Sequence, residues 1–278
     1  MKNTTTKNRG FFFQILYLPG DFLYQIIYIW GDISLLTLRT FYWIFKGKIF
    51  GPNLYQSLNQ IGVESLPLIS FTSFFSGMVL VIQVGHQFVE LGAESFIGGV
   101  VGLSLTRELC PMIVSIILAA RIGSSMAAEL GTMQVSEQVD ALSVMATNPI
   151  HYLVVPRVIA CSFFAPILVV YANIVGLFGG FLVATNQIGI SSALFSSSLV
   201  SMVNVDDLSS GLLKSIIYGF IVAMIGCYKG LNTSGGAKGV GVSTTQTVVL
   251  SITSILVLNY FFSLIFFIYQ KYAYLLDF

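Results

Sequence analysis

Charge is what this sequence has least of. Asp, Glu, Lys and Arg together make up 9% of its 278 residues, and hydrophobic residues make up 55%. A soluble domain carries about 25% charged residues, so a water-soluble fold is excluded. Apolar runs of bilayer-spanning length identify an all-α integral membrane protein. Histidine and cysteine are almost as scarce. The two histidines, His86 and His151, are far apart and have no ligand spacing. The three cysteines, Cys110, Cys161 and Cys227, lie in separate apolar stretches without a CxxC pair. That excludes a disulfide framework and a cysteine metal centre, and leaves the thiols as small core residues. No Ser/His/Asp set or paired carboxylates stand out, so no catalytic residue, metal site or cofactor is expected, and the chain does not read as an enzyme. The loop SGGAKGVGVSTT lacks the order of a phosphate-binding G-x-x-x-x-G-K-[ST] motif and follows no strand. The N-terminal MKNTTTKNRG is basic, but no small-residue cleavage site follows a short apolar region, and it is not a long Ser/Arg-rich stretch. Neither a secretory signal nor a transit peptide is expected.

What the chain does have is length enough in its apolar runs. A hydrocarbon core needs about 20 residues of helix. Five stretches meet that: 66–88, 99–120, 153–184, 208–228 and 248–269. The third is long enough to tilt or to break near Pro166. Residues 21–45 are also long, but they include Asp21, Asp32 and Arg39 with Trp30, Trp43 and several Tyr. Central charges are costly in lipid and aromatic rings favour the headgroup zone, so this segment is expected to lie in the interface. Lys46, Gly47, Lys48, Gly51 and Pro52 then interrupt the pattern.

Basic residues give the orientation. Lys2, Lys7, Arg9, Arg39, Lys46, Lys48, Arg121, Arg157, Lys229 and Lys238 fall on the N-terminal side of the spans, and Lys271 falls on the other. Ten against one is a strong positive-inside bias. The N-terminus therefore faces the cytosol-equivalent side, and five spans carry the C-terminus across. Segments around Glu90 and Glu94, and from 186 to 207 with Asp206 and Asp207, lie on the opposite side without Lys or Arg. A Gly-rich loop is expected from Lys229 to Thr245.

Two constellations stand out against this background. Between spans two and three lies a short acidic helix, for which Ser136 is the expected N-cap, with Glu137 and Asp140 in its first turn. Val135, Val139, Leu142 and Ala146 give it one narrow apolar stripe, and Asn148-Pro149 ends it. A helix resting on anionic lipid would be basic; an acidic one on the aqueous side suits protein docking. The second constellation is Arg107, Glu108 and Lys214, three charges inside spans. Such charges usually face a bundle interior and pair with one another. If spans two and four are neighbours, Glu108 and Lys214 neutralise each other, as a structural ion pair or as part of a polar lining for an amphiphile's headgroup. Small-xxx-small pairs at Gly98/Gly102, Ala119/Gly123, Gly176/Gly180 and Gly226/Gly230 permit close helix approach without favouring any one function.

The run LTRELCPMIVSIILAARIGSSMAAELGTMQVSEQVDALSVMATNPIHYLVVPRVIA closely resembles the MlaE-type permeases of ABC lipid transporters, with their TRELGP, AAR-GS-AAELGTM, EQ-DAL and P-YL-PR elements in order. The stretch GLLKSIIYGFIVAMIGCYKGLNTSGGAKGVGVSTTQTVV fits the same family, and the resemblance covers about residues 55–265. Cys110 stands where the family commonly has Gly. The resemblance implies an N-terminal interfacial helix, five transmembrane helices and a cytosolic-side coupling helix between spans two and three. It divides the chain into a basic tail with its amphipathic helix, 1–52, and a permease domain, 53–278. It places Glu137, Gln138, Asp140, Ala141 and Leu142 in the coupling helix, and Arg107, Glu108 and Lys214 at matching positions in the membrane. It also implies a separate cytosolic or stromal ATPase, an MCE-domain lipid-binding protein on the far side, membrane lipids as substrate, a homodimer, and no nucleic acid. Similar proteins occur in bacteria, in algal plastid genomes and in the chloroplast inner envelope. With an AT-rich composition and no expected transit peptide, a plastid membrane is the first expectation for location and a bacterial inner membrane the second. The alternative from another class is an ion-coupled secondary carrier or channel using Glu108 and Lys214.

Overall fold

The computed structural model describes residues 27, 29–47 and 51–276. Every regular element among them is helical. Helix α1 covers 29–46. It is followed by α2 (Gly51–Gly62), α3 (Leu66–Glu90), α4 (Ile97–Ser104), α5 (Cys110–Leu118), α6 (Ser124–Val135) and α7 (Gln138–Val144). The second half holds α8 (Val155–Val183), α9 (Ser192–Met202), α10 (Val205–Leu231) and α11 (Gly236–Leu276). Among the described residues five continuous helical stretches are long and apolar enough to cross a membrane: Gly51–Glu90, Glu94–Val135, Ile150–Ile188, Val205–Leu231 and Gly236–Tyr269. Each contains one of the five spans expected from the sequence.

Small residues decide which helices touch. A Cβ on Gly77 of α3 would collide with the backbone of Gly176 of α8, and one on Gly180 would meet Val81. These contacts run in step along the chain, so α3 and α8 are parallel. On the other flank of α8, Gly219 of α10 sits against Cys161 and Ala165. Gly226 and Gly230 of α10 let it close onto Gly123, Ala127 and Leu130. In a bilayer, where lipid tails are as apolar as Leu, such close backbone approach supplies much of the attraction between helices. The helix of span two thus lies beside that of span four, while α11 packs along α10, α5 and α6 with most of its outer surface uncovered.

Four details differ from the sequence expectation. The third span does not break at Pro166: α8 is continuous through it, because tight packing on both flanks holds the helix and membrane helices tolerate an interior proline. The Gly-rich loop shrinks to residues 232–235, with Gly235 and Gly236 at φ +86 and +69. Residues 236–245 are helical and are tied back by Thr233 donating to Ser243 at 2.9 Å. The segment 186–207, for which no secondary structure was expected, contains α9, whose Phe195 and Ser198 pack on Gly98 and Gly99. Finally, span two carries helical structure on to Val135.

Residues 21–26 lie outside the described residues, but α1 is clear from 29 onward. Ile33 packs on Ile225 and Tyr228, Phe41 stacks on Phe220 at 5.5 Å, and Trp43 stacks on His151 at 4.9 Å. These partners belong to the last three turns of α10 and the turn preceding α8. The helix is not among the five that could cross a membrane.

Candidate functional site

Span two departs from α-helical geometry where its charges are. Leu105–Leu109, the LTREL element, forms a π turn, and so does Ala119–Gly123 around Arg121. Such turns widen the helix and often occur at functional positions. A further feature can be read from the sequence. The residue four beyond Arg107 is Pro111, which has no N–H, so the Arg107 carbonyl lacks its usual helical donor. Lys214 takes that place, its Nζ donating to the Arg107 carbonyl at 3.2 Å. Gly211, one turn before Lys214, has no side chain to keep α10 away from the Thr106 carbonyl.

The rest of the cluster closes around this contact. Lys214 is 4% exposed and pairs with Glu108 at 2.7 Å. Ser263 of α11 donates to the same Glu108 oxygen at 2.7 Å and accepts from Lys214 at 3.1 Å. Arg107 turns the other way: its Nε donates at 2.6 Å to Asp207, which is 1% exposed, while its guanidinium lies 5.2 Å from the Phe266 ring centroid. The second Asp207 oxygen accepts from the Asn204 backbone N–H at 2.9 Å, capping α10. Further along the same face, Tyr218 donates to Asn259 of α11 at 2.9 Å. Two cations and two carboxylates therefore form a neutral tier tying spans two, four and five together, in the half of the bundle away from the basic side.

The three charges singled out in the sequence do come together, and Glu108 pairs with Lys214 as expected. Asp207 and Ser263 were missed. Asp207 had a signal, since it lies seven residues before Lys214 and two helical turns put both on one face. Ser263 had none that sets it apart from the many serines of the apolar helices.

At the opposite end of span two, a second polar cluster surrounds Glu129. It accepts from Gln60 of α2 at 3.1 Å, Ser125 at 3.1 Å and Arg157 of α8 at 3.0 Å. Next to it, Arg121 pairs with Glu64 and donates to Ser65, each at 2.8 Å. The carbonyl of Tyr152, four residues before Pro156, accepts from Asn53 at 3.4 Å. This cluster clamps α2 onto the basic-side ends of α6 and α8.

The acidic helix follows directly. It starts later than its sequence suggested: Ser136 does not cap it but turns its hydroxyl back to the Thr132 carbonyl at 2.7 Å, ending α6. Glu137 precedes α7 in left-handed backbone conformation (φ 59), and this sharp turn separates α7 from α6. Gln138, Asp140, Ala141 and Leu142 lie within the helix. Of the four stripe residues, Val139 is buried and Leu142 half-buried on the core, whereas Val135 is exposed and Ala146 lies past the helix end at φ 57. Glu137, Gln138, Asp140 and Ala141 are exposed. Two apolar neighbours not anticipated as site residues are also exposed: Val144 is 88% and Met145 75% exposed.

Among the described residues no His/Cys/Asp/Glu group could hold a metal ion, and the three cysteines are free and buried. Comparison with known proteins adds the following. Residues 54–265 match the family model described as Permease MlaE. A probable ABC transporter permease protein of Synechocystis sp. is 45% identical over 228 residues, covering 82% of this chain and 87% of that protein. The Arabidopsis thaliana protein trigalactosyldiacylglycerol 1, chloroplastic, is 43% identical over 224 residues, covering 81% of this chain and 64% of that one. A probable ABC transporter permease protein of Porphyra purpurea is 41% identical over 218 residues, 78% of this chain and 81% of its own.

Proposed function

This chain belongs to the MlaE permease family, and on that premise we propose that it is the membrane-spanning subunit of an ABC transporter that moves lipids, driven by a separate ATPase. The observation that carries the reading is the layout of span two. One continuous helical stretch runs from the charged tier at Arg107 and Glu108 to Val135, a single tight turn before the acidic helix α7. The 28 residues from Glu108 to Val135 correspond to about 42 Å of helix, close to the depth of a bilayer with its headgroups. A push on α7 from the aqueous side can therefore act on the tier that holds spans two, four and five together. A motor can drive such a change only by binding one state of the bundle better than another.

In this reading α7 is the coupling helix. Glu137, Gln138, Asp140 and Ala141 meet the ATPase, and Leu142 roots the helix in the core. Val144 and Met145 form an apolar tip for the ATPase to cover, and Met is well suited to such an adaptable contact. Arg107, Glu108 and Lys214 line or gate the lipid path. Residues 53–278 make up the permease body and 1–52 an appendage at the membrane surface. A homodimer and an MCE-domain partner on the far side are carried over from the family resemblance. A plastid membrane is the favoured location, in line with relatives from a chloroplast and a red alga. The ion-coupled carrier finds no support in the family match.

The test of docking is the charge-reversed variant Glu137→Lys/Asp140→Lys. It should remain membrane-inserted yet lose the ATPase on co-purification in mild detergent. Unchanged recovery of the ATPase would sink the role given to α7.

A further inference from the structure

An open groove of about 850 Å³ lies between α1 and α11. Its walls include Ile29 and Trp30 on one side and Val249, Leu250, Val257 and Leu258 on the other. The hydroxyls in it are turned away: Thr253 and Ser254 donate to the carbonyls of Val249 and Leu250 on their own helix. What remains is an apolar trough with one cation, Lys229, at the end where α10 finishes.

Lys229 is the unusual member. It is half-buried, and among the described residues it pairs with no carboxylate. Its contacts are Gln246 Oε1 at 3.0 Å and the face of Tyr228 at 6.0 Å from the ring centroid. An ammonium has three donors, so two remain for a ligand. The nearby Asp32 carboxylate accepts instead from the Tyr228 hydroxyl at 3.3 Å. From Gln246 to Leu258 the trough follows about 18 Å of α11, close to the roughly 15 Å thickness of one hydrocarbon leaflet. Its charged end is near the C-terminal end of α10, on the side where the basic residues gather, and Trp30 lines the same groove, a residue type that favours membrane interfaces.

We propose that this groove is a binding site for one anionic lipid of the cytosol-side leaflet, with its headgroup anion on Lys229 and an acyl chain along Val249–Leu258. Charge complementarity selects this occupant over another apolar helix, which would cover the trough and leave the ammonium unanswered. The claim concerns occupancy and holds whether or not the permease reading does, so its test needs no ATPase.

The chain has two tryptophans, Trp30 and Trp43, so a Trp43→Phe background leaves Trp30 as the sole reporter while keeping a ring on His151. In nanodiscs of phosphatidylcholine, a minority of acyl-brominated phosphatidylglycerol should quench Trp30 several-fold more strongly than the same fraction of brominated phosphatidylcholine. Lys229→Gln should abolish the difference, and Lys229→Arg, which keeps the charge and guards against a folding artefact, should retain it. Equal quenching by both lipids, or a preference that survives Lys229→Gln, overturns the proposal. So does the absence of quenching by either lipid, which would mean that a second copy or the N-terminal residues fill the groove. The preference should also survive the α7 charge reversal, so failure of the docking role would not imitate failure of this site.

Discussion

The two ends of span two carry similar chemistry in different surroundings. Each holds two ion pairs: Lys214–Glu108 and Arg107–Asp207 at one end, Arg157–Glu129 and Arg121–Glu64 at the other. In the first set, one partner of each pair is almost fully buried. In the second, even the more buried partner of each pair keeps some exposure, 17% for Arg157 and 32% for Arg121. A buried charge depends on its partner, because removing one member leaves the other unpaired in a medium that solvates it poorly. An exposed charge falls back on water. The difference implies that the outer tier behaves as a unit that must be neutral, whereas the inner cluster is a set of adjustable clamps beside the helix that takes the load.

Breaking the outer tier should have the largest effect. Glu108→Gln removes the only carboxylate that pairs with the Lys214 ammonium among the described residues and leaves it neutral acceptors alone, and is expected to cost about 3 kcal/mol, the lower end for a broken buried pair because Glu108 is itself partly exposed. Reversible unfolding in mixed detergent micelles would measure it. The double variant Glu108→Leu/Lys214→Met should recover most of the loss while abolishing lipid movement. Full transport by the double variant would reduce the pair to a structural tie. A smaller effect is expected at the inner hub. Glu129→Gln keeps hydrogen-bonding capacity toward Gln60 and Ser125 but weakens the bond from Arg157, costing about 1–2 kcal/mol in the same assay. A loss as large as that of Glu108→Gln would erase the distinction between the two ends. The smallest effect belongs to Glu64→Gln, about 0–1 kcal/mol. It should shrink further in high salt, as unfolding at low and high ionic strength would reveal.

Much of this was legible in the residues. Apolar run length located all five spans, because a bilayer demands a fixed number of residues per crossing. The mutual pairing of Glu108 and Lys214 followed from the cost of isolated charges in lipid. The polar helix was visible as an acidic interruption, but its ends were not. Ser136 has the side chain of an N-cap, yet its hydroxyl is already used by the last turn of α6, and sequence does not say which of two adjacent helices a serine serves. Likewise Lys229–Thr245 has a loop's composition, but residues 236–245 are helical because α11 starts four residues after α10 ends and is anchored on it at Thr233.

The sequence by itself determined the class of molecule, the five stretches long and apolar enough to cross a bilayer, the ends of those stretches where basic residues gather, and which charges must find partners. Those properties follow from composition and from the one-dimensional spacing of apolar and charged residues against a bilayer of fixed thickness. The tertiary structure decided who the partners are. Arg107 goes to Asp207 and not to the adjacent Glu108, because the π turn at 105–109 and the glycine at 211 set the angle and distance between spans two and four. Lys214 reaches a backbone carbonyl that Pro111 left open, and among the described residues Lys229 pairs with no carboxylate. Each of these depends on where two helices cross, a relation between distant parts of the chain that no local pattern contains.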